Sequence, residues 1–206
     1  MLLTMTDIWS RLVADLAQST WLEFFAVLCG IASVIFSRKE NILVYPVGMI
    51  NTSIYIYLYI SHGLYADASV NGYYTVMSVL GWRLWARQKD GRKALEISML
   101  DRKGRLKSLL FFALCWALLY VILSRFTDSS VPVADAFTSA AAFTAMWLMN
   151  QKKLENWTWW IITNLASIPL NFFKHLVFSS FQYLVFLVLA VMGYLSWKKK
   201  LQDAIH

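Results

Sequence analysis

Seven apolar runs alternate with short polar breaks along this chain. A helix that spans a bilayer needs roughly 20 mostly apolar residues. The runs are about Trp21–Ser37, Ile42–Ser61, Ala66–Trp85, Ser108–Leu123, Val133–Met149, Trp157–Lys174 and Phe178–Trp197, and each predicts one spanning helix. Residues 1–20 have a different pattern. Asp7, Arg11 and Asp15 punctuate them, with no basic leader region and no A-x-A cleavage site. They predict a short amphipathic helix lying in the interface. The one long break, Ala86–Lys107, is charged and predicts a surface helix of its own.

Polar positions inside the runs are few, and they cluster on faces. In Glu155–Asn171, Trp157, Trp160, Asn164, Ser167 and Asn171 follow one another at intervals of three and four. That spacing puts all five on one helical face. Pro169 removes a backbone donor near the end of the same run. The second run carries Asn51 and Tyr55, and the third carries Asn71, Tyr74, Ser78, Trp82 and Trp85. The fifth has Asp135 and Ser139, and the seventh has Gln182. Amides and carboxylates are costly in hydrocarbon and face a bundle interior or a cavity. The competing reading is that they only bond neighbouring helices together. Trp82, Trp85, Trp157 and Trp197 fall near helix ends, where an aromatic belt is the default.

The runs also repeat. Lys39 precedes Asn51 by twelve residues, as Lys152 precedes Asn164. Pro46 and Pro169 are expected to kink the two paired helices. Gly81–Trp85 (GWRLW) then matches Gly193–Trp197 (GYLSW). The implied plan is an all-α integral membrane protein of seven transmembrane helices in a 3+1+3 parallel repeat. SWEET-like transporters use that arrangement, with a midplane site between the repeats. The expected parts are a first repeat at 21–85, a basic cytoplasmic loop at 86–107 and a linking helix at 108–126. A second repeat follows at 131–197 and a tail at 198–206.

Composition agrees. Of 206 residues, 59% are hydrophobic and only 15% charged, below the usual quarter of a soluble chain. A net charge of +7 without basic–aromatic interleaving points to an anionic lipid surface, not nucleic acid. Seven spans place three of the 19 basic residues (Arg11, Arg125, Lys174) on the N-terminal side and the other sixteen on the far side. The positive-inside rule then sets the N-terminus outside and the C-terminus in the cytoplasm. The two cysteines, Cys29 and Cys115, lie in apolar runs and suit neither a disulfide framework nor zinc.

Several chemistries find no residues to carry them. There is no G-x-x-x-x-G-K-[ST] string, no metal-ligand cluster and no Ser–His or Cys–His pair at one depth. No lysine sits within the last span as a retinal protein needs, and the carboxylates are too few for a proton pump. The chain therefore reads as no enzyme and as needing no cofactor. Amides suit hydroxyls and ring nitrogens, and indoles and phenols suit an aromatic, cationic ring. No Arg or Lys is expected at the bundle centre, which argues against phosphorylated guests.

The strings ENWTWWIITNLASIPLNFFKHL, QYLVFLVLAVMGYLSW, NILVYPVGMINTSIYIYLY, LYAD and DAFTSAAAFTAMWLMNQKKLENW resemble the PnuC family of vitamin transporters, from about Trp21 to Trp197. The resemblance implies facilitated diffusion of an unphosphorylated B-type vitamin, nicotinamide riboside by preference, into a bacterium through its inner membrane. A separate cytoplasmic kinase would trap it. Thiamine or riboflavin transport, or a binding or sensor protein that never transports, are the alternatives. Trimers are implied as well. Carried over by matching residues, the substrate-binding set is Trp157, Trp160, Asn164 and Gln182. Asn71 stands where many members have glutamine, and Tyr74 and Asn51 join more loosely. Tyr55, Asp135 and Asn171 are weaker candidates.

Overall fold

The computed structural model describes residues 20–89, 92–93, 95–127, 129–174 and 176–203. The expected interfacial segment at 1–20 lies outside them except for Thr20. Seven helices carry the fold: α1 (Trp21–Arg38), α2 (Val44–Ser61), α3 (Tyr65–Ala86), α4 (Arg102–Phe126), α5 (Pro132–Asn150), α6 (Glu155–Phe173) and α7 (Val177–Asp203). Each matches one predicted run within a few residues, except that α4 starts earlier and α7 runs on through most of the expected tail.

Local chemistry sets the ends. Thr20 caps α1 in a reciprocal pair with Glu23, which satisfies two otherwise orphaned backbone donors. Asp101 accepts from the Gly104 N–H at 2.7 Å and starts α4. Pro132 opens α5, where its missing donor costs nothing. Pro46 sits in the first turn of α2 and so starts that helix without kinking it, unlike the expectation; only Pro169 lies inside its helix.

The packing order is a closed ring. α1 packs on α2, α2 on α3, α3 on α5, α5 on α6, α6 on α7, and α7 returns to α1. Moving α1, α2, α3 onto α5, α6, α7 maps this ring onto itself. The 3+1+3 parallel repeat is therefore real. α4 lies outside the ring, chiefly against α5, and Phe112 reaches Trp159 of α6 at 4.8 Å. Ala136, Ala140, Ala141 and Ala145 of α5 are fully buried. Their small side chains let three helices approach closely. Outward faces are apolar instead: Leu109, Leu110, Leu114 and Leu118 of α4 are all exposed. Such a surface suits lipid. Three helical segments, Trp21–Arg38, Arg102–Phe126 and Ser179–Asp203, are long and apolar enough by themselves to cross a membrane.

Two expectations fail at the loops. The 86–107 break forms no separate helix among the described residues. Strands β1 (Gln88–Lys89) and β2 (Arg92–Lys93) make a minimal antiparallel ladder. Residues 95–100 then run extended, because Ser98 exchanges backbone bonds with Lys152 and Leu154. The repeat register also shifts by one. Glu40 and Lys152 both take left-handed backbone, φ 59° and 51°, so these two turn residues correspond. Gly81 then falls on Gly193, Trp85 on Trp197 and Tyr45 on Trp157. Asn51 falls on Thr163, and the partner of Asn164 is Thr52.

That register explains the basic end of the bundle. Tyr45 meets Trp85 edge-on at 5.2 Å, and Trp157 meets Trp197 edge-on at 5.6 Å. The Trp85 indole donates to the Asn150 carbonyl, and the Trp197 indole donates to those of Ser37 and Arg38, all at 3.2 Å. Trp85, Trp157 and Trp197 are buried, so the belt reading fails for them. Trp82, 39% exposed, still fits it. Glycine makes the close approach possible. A Cβ on Gly81 would overlap the Tyr45 ring and the Asn150 amide, and one on Gly193 would overlap the Trp157 ring.

Gly81→Ala should therefore destabilise the bundle by about 1–3 kcal/mol, the usual range for overpacking, read as an earlier thermal midpoint in detergent. Gly72→Ala, with nothing within 4 Å of its added carbon, should be neutral or slightly stabilising.

Candidate functional site

The ring has two ends of different character. At the basic end, Lys152 is 2% exposed. Its ammonium bonds Glu40 at 2.6 Å and the Leu95 carbonyl at 3.0 Å. It also lies 4.7 Å over the Trp85 ring. Lys200 of α7 holds the other Glu40 oxygen at 3.1 Å. Burial pushes the Glu40 carboxyl up, but Lys152 and then Lys200 outweigh it and hold the carboxyl below its usual range. A depressed carboxylate gives its full stabilisation at neutral pH and loses it as pH falls through that lowered value. The charge count over the sequence sets Lys152 among the sixteen basic residues of the far side. It missed this pair because nothing in a loop lysine's neighbours marks it as buried.

Above this seal the side chains become polar and incompletely satisfied. Asn164 is only 3% exposed, and its amide has no hydrogen bond among the described residues. Asn156 Oδ1 and Trp157 Nε1 are fully enclosed without partners. The Asn164 amide belongs to a residue that is itself buried. An unpaired buried amide costs about 1–3 kcal/mol, so this one is poised to accept a partner. Ser167, one turn on, is buried too, and it faces Tyr183 of α7. Tyr74 of α3 is half-buried and meets Phe143 of α5 edge-on at 5.9 Å. Tyr73 stacks on that same ring at 3.9 Å and donates to the Phe143 carbonyl. Trp160 is half-buried and packs against both core clusters of the bundle. Across the α2–α7 gap, the Tyr55 hydroxyl faces the Gln182 side chain.

The remaining candidates are placed elsewhere. Asn51 donates to the Ala26 carbonyl at 2.6 Å and packs against Gly30 of α1. It therefore joins α1 to α2 inside the first repeat and does not meet Asn164. Asn71 and Asn171 spend one donor each on the carbonyl four residues back, of Asp67 and Ser167. Asp135 is held by Lys174 and by the Ser129 hydroxyl at 2.6 Å, so its charge is already paired. Trp157 belongs to the seal. Tyr73, Phe143 and Tyr183 were not anticipated. Phe143 directly follows the small-residue run Ser139–Ala142, and that contrast was the available signal. Among the described residues no cluster of His, Cys, Asp or Glu could hold a metal ion.

The two asparagines should separate in experiment. Asn51→Leu breaks a satisfied bond and should cost about 1 kcal/mol or more of stability. Asn164→Leu buries no unpaired amide and should leave the thermal midpoint unchanged or raised.

Known proteins share this architecture and sequence. The nicotinamide riboside transporter PnuC of Escherichia coli (strain K12) is 23% identical, over 86% of this chain and 85% of its own length. The riboflavin/roseoflavin transporter RibM of Streptomyces davaonensis is 21% identical, over 86% of this chain and 84% of its own. The crystal structure of the vitamin B3 transporter PnuC superposes with a TM-score of 0.72 at 23% identity, covering 95% of this chain and 88% of that one. The model of the family described as nicotinamide mononucleotide transporter matches residues 20–199. With the match running the length of the seven-helix ring, this chain belongs to the nicotinamide mononucleotide transporter family.

Proposed function

We propose that this protein is a bacterial inner-membrane transporter for an unphosphorylated B-type vitamin, nicotinamide riboside by preference. The observation that supports the reading is the buried Asn164 amide, without a hydrogen bond among the described residues, on the same face of α6 as Trp160 and Ser167. Tyr74 and Gln182 are assigned to the site as part of the proposal. Amide and hydroxyl groups can bond ribose hydroxyls and a carboxamide. Tyr74 and Trp160 offer π-faces to a pyridinium ring, which as a cation binds such faces well.

The family's description names the mononucleotide, but the side chains favour the riboside. A phosphate needs a cation or a helix N-terminus aimed at it. Lys152 is taken by Glu40 and Lys174 by Asp135. The sequence carries no ATP-binding string, and the resemblance to the PnuC family supports facilitated diffusion as the mode of uptake. A separate cytoplasmic kinase would then trap the product. The sixteen basic residues at one end support, by the positive-inside rule, a cytoplasmic side for that end and for the C-terminus. Similarity to RibM keeps riboflavin as the second substrate to be tried.

Titrating purified protein with nicotinamide riboside, its 5′-phosphate, thiamine and riboflavin tests the substrate. The riboside should bind, and the phosphate should bind at least tenfold more weakly, about 1.4 kcal/mol. Asn164→Leu should abolish binding of the riboside. Failure of the riboside to bind, with riboflavin or thiamine binding instead, would overturn the preferred substrate. In proteoliposomes the vitamin should equilibrate and not accumulate. Accumulation would exclude facilitated diffusion, and an absence of flux would favour a sensor.

A further inference from the structure

Hydrogen bonds and ion pairs between the two repeats are unevenly distributed. Those among the described residues join Ser37, Arg38, Glu40, Tyr45, Tyr73, Met77 and Trp85 to partners between Phe143 and Lys152 or between Met192 and Lys200. All lie in the basic half of the bundle except the Tyr73–Phe143 bond, which lies near mid-depth. Toward the other end the ion pair Lys174–Asp135 stays within the second repeat. Among the described residues the polar approaches across the gap there are Tyr55 to Gln182 and the charge of Asp67 of α3 toward the Lys174–Asp135 pair, and neither is an ion pair in direct contact.

Within the basic half one group differs from the rest. Glu40 is carried by the first repeat, and both cations that grip it, Lys152 and Lys200, belong to the second. Lys152 has a further partner, the Leu95 carbonyl. The 95–100 segment is itself fastened to the second repeat through Ser98 and through Glu155, which accepts from the Leu100 N–H at 2.9 Å. If the repeats part, Lys152 keeps Leu95 and loses Glu40 together with the Trp85 ring. Trp157 already carries an enclosed N–H without a partner, so the closed seal is not the best arrangement for every group in it.

We propose that Glu40 is the latch of a gate at the basic end: its carboxylate, seated between Lys152 and Lys200, holds the repeats closed there, and its release opens the path from the Asn164 site to that side. This rests on the transport reading above. The aromatic quartet Tyr45, Trp85, Trp157 and Trp197 is the plug, and the carboxylate is what keeps it seated. Ser37, packed on Met149 at the same seam (Oγ–Sδ 3.3 Å), is a reporter position that opens with the gate. Ser108, buried at the start of α4 and bonded within its own helix, stays covered unless the fold loosens.

The test uses Ser37→Cys, with Cys29 and Cys115 replaced by alanine, and a bulky water-soluble maleimide on protein in detergent without ligand. Glu40→Gln should speed labelling at position 37 about tenfold, the effect of one weakened charge pair on a two-state equilibrium. Lys152→Gln should act alike. The double variant Glu40→Gln/Lys152→Gln should fall short of the product of the two, since both remove one contact. A Ser108→Cys reporter should not change. Unchanged labelling at 37 in Glu40→Gln, or equal acceleration at 108, would overturn the latch. No vitamin is used, so a failed substrate titration and a failed latch are separate results.

Discussion

An ammonium group enclosed in protein needs a counter-charge, and among the described residues Glu40 supplies it to Lys152. Leaving either partner alone in such a site costs about 3–5 kcal/mol. This requirement acts between the repeats, because the two residues occupy corresponding turns on opposite sides of the pseudo-axis. It fixes the distance between the turns. Trp85 and Trp197 can then each donate to a carbonyl of the opposite repeat. Gly81 and Gly193 in turn allow the rings to come that close. The linker is drawn into the same knot through Leu95 and Ser98.

Tightness at one end leaves freedom at the other. Within each repeat the helices are held by their own pairs: Asn51 to Ala26 and Thr52 to Thr75 in the first, Lys174 to Asp135 and Ser180 to Ile168 in the second. These bonds tie each half together internally. Between them, in the half away from the basic end, few polar bonds need to be broken. The unpaired Asn164 amide lies above the seal, at the depth where the halves change from bonded to merely adjacent. Midplane sites between repeats arise from the same geometry.

Most of the fold could be read from the sequence because lipid imposes a strong pattern. Seven apolar runs gave seven helices, and the ring followed from the repeat. What could not be read was the fate of residues whose type fits two environments. Trp85 and Trp197 have the look of belt residues, but their N–H groups reach carbonyls across the axis. Lys152 looks like any basic loop residue until its neighbours are known. The repeat register slipped by one because matching Lys39 to Lys152 by identity was more obvious than matching Glu40 to Lys152 by backbone. Charge reversal at corresponding positions is what two halves of one chain need in order to pair, and identity is a poor guide to it. Asn51 followed the same slip and was set opposite Asn164, when its amide in fact faces α1.

The corrected register says something about the guest. Thr52 stands opposite Asn164, Tyr55 opposite Ser167, Val70 opposite Gln182, and Phe186 opposite Tyr74. The frame is nearly two-fold, yet the polar groups at the depth of the site are not duplicated. A symmetric or uniformly polar molecule would leave either the amides or the rings of such a site unmatched, and unmatched buried amides are the more expensive failure. The arrangement suits a molecule with a flat ring at one end and hydroxyls at the other. Under the proposed reading nicotinamide riboside has that shape, whereas a phosphate would ask for a free cation, and Lys152 and Lys174 are already paired with Glu40 and Asp135.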